Sequence, residues 1–147
     1  MIDELEKKIV RAMNQNARKS FREIAKDVGT SATAVINKVK RLETAGAIKG
    51  YIPIVDPSYF GTDLVAIIAL RISKGKLLET QQKISSDRRV AAVYDITGEW
   101  DSLVIGYFQS RDDLNDFIKG VLALPYIDRT VTHLVLNIVK EEKRVLV

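Results

Sequence analysis

The stretch 31-SATAVINKVKRLETAGAIKGY-51 changes character in its middle. Val35, Val39 and Leu42 recur at spacings of four and three, which is one face of a helix. Thr30 or Ser31 supplies its N-cap, and Gly46 closes it. AIKGYIPIV then reads as β-like, with Pro53 and Pro57 marking a connector. On a wheel of ~100° per residue, Thr33, Asn37, Lys40 and Arg41 fall opposite the apolar stripe, with Lys38 at the edge. The question is whether that polar face is merely solvated or shaped to touch something.

Two further helices precede it. Asp3 and Glu6 have capping-box spacing, and Ile2, Leu5, Ile9, Ala12 and Met13 follow on one face until the pattern stops in NQNAR. Ser20 and Glu23 form a second box, Ile24, Ala25 and Val28 a short apolar face, and Gly29 an end. Three short helices with a tight turn between the second and third have the form of a helix-turn-helix.

After the connector the alphabet changes. Residues 64–72 read as a strand and 75–86 as a helix. Strands follow at 90–97 and 101–109, joined by the short link G-E-W. A helix follows at 111–124, and IDRTVTHLVLNIVK alternates as a long last strand. The order β-α-β-β-α-β is the ferredoxin-like arrangement. The expected fold is α+β: a winged-type helix-turn-helix domain over 1–50, a connector over 51–62, and a ferredoxin-like antiparallel sheet domain over 63–147.

Charge is divided along the same line. Residues 1–50 carry +5 and residues 51–147 carry −1, within a net +4. A basic helical segment suits a polyanion. An α-helix fits the major groove, where Asn pairs with adenine N6/N7 and a methyl, from Thr33 or Ala32, meets the thymine methyl. The residues read as facing double-stranded DNA are Arg18, Lys19, Ser20, Arg22, Ser31, Ala32, Thr33, Asn37, Lys38, Lys40 and Arg41, with Arg41 assigned to the phosphate backbone.

The run 21-FREIAKDVGTSATAVINKVKRLETAGAIKGY-51, followed by a βαββαβ pattern with TGEWD at its central hairpin, resembles the Lrp/AsnC (feast/famine) family of transcription regulators. The most specific part is R-L-E-x-x-G-x-I-x-G-Y, with a G-x-x-D hairpin about fifty residues on. The resemblance implies a helix-turn-helix over 21–40, with 31–42 as recognition helix. It further implies a second domain that dimerises, assembles to octamers, and holds an amino-acid effector at Gly98, Glu99, Trp100 and Asp101. A glycine turn offers backbone N–H groups to an α-carboxylate, and Asp101 accepts from an α-ammonium. Trp100 departs from the smaller aromatic or His of the family and is large enough to fill part of such a pocket.

Other classes find less support. There is no cysteine, no Walker A, no G-x-S-x-G and no H-E-x-x-H, and neither a metal nor a cofactor is implied. His133 alternates with Val131 and Val135 and reads as a packed or interface residue. Asp112, Asp113 and Asp116 suit a helix N-terminus. MIDELEKKIV lacks a signal-peptide core and no apolar run reaches ~18 residues, so a cytoplasmic protein without membrane contact is expected. A helix-turn-helix adaptor that contacts protein, and a small ferredoxin-like enzyme, are the rival readings.

Overall fold

Caps written into the sequence delimit the first three helices. The computed structural model describes all 147 residues and forms two compact units, Met1–Ile54 with Lys140–Val147, and Val55–Val139. In the first unit, α1 (Glu4–Gln15) starts at Asp3, whose carboxylate accepts from Glu6 N while Glu6 accepts from Asp3 N. The same reciprocal pair, Ser20 and Glu23, starts α2 (Phe21–Val28), and Gly29 ends it at φ 75°. Ser31 rather than Thr30 caps α3 (Ala32–Thr44), accepting from Ala34 N at 3.1 Å. Ile9, Ala12, Met13, Ile24, Ala25, Val35 and Val39 close into one apolar core.

A buried carboxylate links α1 to α3. Glu6 is wholly shielded from solvent, yet it accepts from Arg41 Nε at 2.6 Å and also from Arg41 Nη2. Lys38 bonds to Asp3 and lies 3.7 Å from the same Glu6 oxygen. The Arg41 bonds, then the Asp3 amide, hold the Glu6 carboxyl below its ordinary value. Lys38 does the same first for Asp3.

Beyond Thr44 the chain does not form the β-like element that its composition suggests. Residues 47–56 have no ladder partner, and Pro53 removes a donor there. Tyr51 instead turns back, donating to Glu43 at 2.7 Å. A 3-10 turn, Pro57–Phe60, occupies the connector. Lys140–Val147 packs with the helices: Arg11 Nε donates to Val147 O at 2.6 Å, and Asn14 reaches Val145 O at 3.4 Å.

The second unit is β1 (Leu64–Ile72), α4 (Leu77–Ser85), β2 (Val90–Asp95), β3 (Ser102–Phe108), α5 (Arg111–Leu122) and β4 (Ile127–Leu134). The sheet order is β2-β3-β1-β4 with every neighbour antiparallel. Ala66, Ile68, Leu70, Ile72, Val104 and Phe108 face the helices and pack on Ile84, Leu114, Phe117 and Val121. The last strand is shorter than its alternation suggests. Ala66 stands opposite Leu134 and β1 begins at Leu64, so residues beyond 136 have no residue of β1 opposite them. The acidic start of α5 does more than complement its dipole. Asp113 and Asp116 both bind Arg89 at 2.9 Å, and Arg89 also grips Asp87 and lies over the Phe117 ring.

Two tests follow from this packing. A Cβ at Gly106 would stand 2.6 Å from the buried Phe108 ring, so Gly106→Ala should destabilise the sheet unit by ~1–3 kcal/mol through overpacking, read as a lowered urea midpoint. The depressed Glu6 carboxyl stabilises the fold above its unfolded value of 4.5, and that contribution is lost as pH falls through the lower folded value. Amide NMR signals of α1 and α3 should therefore lose urea resistance on going below about pH 4.5, and Glu6→Gln should flatten that dependence from a lower starting stability.

Candidate nucleic-acid interface and effector hairpin

Capping decides which polar groups remain available on the helices. The Ser20 and Ser31 hydroxyls accept from Glu23 N and Ala34 N, so both are committed to helix starts. Ala32 is partly buried and packs on the core. Lys19 pairs with Asp27 at 2.7 Å. The two α3 cations nearest α1, Lys38 and Arg41, turn to Asp3 and Glu6. Arg41 remains exposed, as the wheel suggested, but its guanidinium is already engaged by Glu6. The wheel places it one flank away from the buried stripe, and a fully buried carboxylate across that flank binds its guanidinium.

What remains outward is narrower than the charge count implies. Thr33, Asn37 and Lys40 are exposed on consecutive turns of α3 and make no side-chain hydrogen bond or ion pair. Arg18 and Arg22 are exposed and likewise carry no ion pair. These groups can meet bases and phosphates without first breaking an internal contact. Ile36 is exposed on the same surface, a residue that the sequence reading did not name.

The hairpin between β2 and β3 is set by Gly98, at φ 109°, and by Ile96 N bonding to Asp101 O at 3.0 Å. Asp101 is stitched to the end of β1 twice. Its amide donates to Leu70 O at 2.9 Å and its Oδ2 accepts from Ile72 N at 2.8 Å. The clamp sits where the β1–β4 register shifts, between Arg71 and Ile72. Oδ1 makes no hydrogen bond. Trp100 is half-buried, with the Arg129 guanidinium 5.1 Å from its ring centre. Arg129 also lies 3.6 Å from Glu99. Sequence reasoning missed Arg129, which is nearly thirty positions from the hairpin; only the β1–β4 pairing carries it there. His133 stands opposite Ile67, exposed, on the sheet face away from the helices.

Residues 2–43 match the model of the AsnC-type helix-turn-helix domain, and residues 65–145 match that of the Lrp/AsnC ligand binding domain. An HTH-type transcriptional regulator of Pyrococcus abyssi is 41% identical, over 98% of both chains. HTH-type transcriptional regulator Ptr1 of Methanocaldococcus jannaschii is 38% identical over 80% of each. Escherichia coli AsnC superposes with a TM-score of 0.88 at 27% identity, over 97% of both chains. A Neisseria meningitidis transcriptional regulator solved with L-Met superposes at 0.90, with 22% identity, over 99% of this chain and 97% of that one. The capped helix-turn-helix, the four-stranded sheet and these matches together place the chain in the Lrp/AsnC family of DNA-binding transcriptional regulators.

Proposed function

We propose that the protein reads double-stranded DNA through α3 and is controlled by an amino acid held at Gly98–Asp101. The observation that carries the DNA half is the trio Thr33, Asn37 and Lys40, exposed and uncommitted on a helix fixed by Ser31 and Glu6. Asn37 serves as the base reader, and Lys40, Arg18 and Arg22 meet phosphates. Lys38 and Arg41 hold the helix in place.

The effector half rests on the hairpin chemistry. Asp101 keeps one carboxylate oxygen for an α-ammonium, and the glycine turn and Arg129 offer cationic and N–H partners to an α-carboxylate. The Neisseria relative was solved with L-Met, which supports an amino acid as the ligand class. Trp100 and Arg129 cover one another, so the entering side chain meets an aromatic wall.

A homodimer, assembling further to an octamer, accounts for the open face of the sheet. Ile67, Leu103, Ile105 and Val131 lie on the side without helices and are only partly covered. Apolar faces of this kind mark interfaces. Two copies present two α3 helices to a pseudo-palindromic site. The working place of such a regulator is the cytoplasm, in keeping with the absence of any helix long and apolar enough to cross a membrane.

Three outcomes are expected. Asn37→Ala should relax base preference at one position by ~1–3 kcal/mol, whereas Lys40→Ala should weaken all sequences alike and lower the salt slope by about one. Selection from random DNA checks both, and an unaltered preference in Asn37→Ala removes its role. Ile105→Glu should give monomers in light scattering and lose cooperative binding to paired half-sites; a monomeric wild type at micromolar concentration removes the dimer. Asp101→Asn keeps an acceptor for Ile72 N but drops the charge, so calorimetry with the twenty amino acids should give at least a tenfold weaker effector. DNA binding should then lose its effector response in proportion. Absence of any ligand for the wild type removes the effector reading.

A further inference from the structure

The outward surface of α3 is polar except at one place. Val35, Val39 and Leu42 are buried at 2% exposure or less, while Ile36 is 45% exposed. At ~100° per residue, positions 33, 36, 37 and 40 fall within about 100° of one another. Ile36 therefore shares a surface with Thr33, Asn37 and Lys40, all of them exposed. A single exposed aliphatic residue is ordinary on a protein surface. This one lies among the groups that reach base edges, with the exposed and unpaired cations Arg22 and Lys26 on the preceding helix.

The chemistry of that surface has a complement. The major-groove edge of thymine is the base edge that carries a methyl group, and apolar side chains read it by contact. Ala32, which a sequence reading would choose for this purpose, is drawn into the core. Thr33 keeps a methyl but also a hydroxyl. We infer that Ile36 is a specificity-determining residue that packs against a thymine 5-methyl group in the bound DNA, beside the base read by Asn37. This deepens the DNA reading above and rests on α3 entering the major groove.

Burying one methyl between Ile36 and the base is worth roughly a three- to fivefold change in affinity. The test uses the full-length protein and a duplex selected from random DNA by the wild type. Each thymine of that duplex is replaced in turn by uracil, which removes the methyl and leaves the hydrogen-bonding edge intact. Binding is measured by fluorescence anisotropy at fixed salt. For the wild type, uracil at one thymine of each half-site should weaken binding about three- to fivefold. For Ile36→Ala the same replacement should cost less than about 1.5-fold, because the methyl has already lost its partner. Ile36→Val, which keeps a branched apolar tip, should retain most of the uracil penalty and guards against an effect of altered folding. Equal uracil penalties in wild type and Ile36→Ala overturn the inference, as does a selected site whose thymines are all indifferent to uracil. Absence of any sequence-selective binding by the wild type would instead sink the recognition-helix reading itself, and the inference with it.

Discussion

The helical unit depends on one carboxylate placed where water does not reach it. Glu6 closes the box that starts α1 and, from the same side chain, accepts from Arg41 of α3. Burying a lone charge is costly, so its position is tolerable only because Arg41, Lys38 and the Asp3 amide meet it. The pairing has a directional consequence. Two cations on one flank of α3 are drawn toward α1, and the opposite surface, with Thr33, Asn37 and Lys40, is left free. Removing Arg41 would leave the carboxylate buried without its main partner, so its loss bears on the seating of the helix before it bears on anything the helix touches.

The sheet unit has its counterpart in Asp101. A hairpin of four residues would otherwise swing on its two strands. The double stitch to Leu70 O and Ile72 N fixes it against β1 at the point where β4 drops out of register. The residue proposed to meet the ligand is thus also one that the fold uses, and the proposed contact would fall on the other oxygen of the same group.

Much of this was legible in the sequence because it is local. The capping boxes at Asp3 and Ser20, the glycine at 29 and the bounds of β1 need only neighbours along the chain, and the structure has them as read. What escaped is what depends on distant partners. A wheel cannot know that Glu6 lies across from Arg41, so it gave no sign that this exposed arginine is already ion-paired. Alternation carried the last strand past Leu134 because nothing in IDRTVTHLVLNIVK states where its neighbour begins. Arg89 and Arg129 gather Asp113 and Trp100 from well away in sequence, and neither has a motif to announce it. Ile36 belongs to neither the apolar stripe nor the polar face that the wheel picks out, and only the folded chain shows it exposed.

The Ile72 amide is held by a side chain, whereas ladder amides of the sheet are held by backbone. Its exchange with solvent deuterium is accordingly governed by the grip of one carboxylate and not by the opening of the sheet as a whole. Ile72 therefore acts as a single-proton gauge of the hairpin. Its exchange rate, set against those of the ladder amides of the same strand, separates a loosened hairpin from a loosened core.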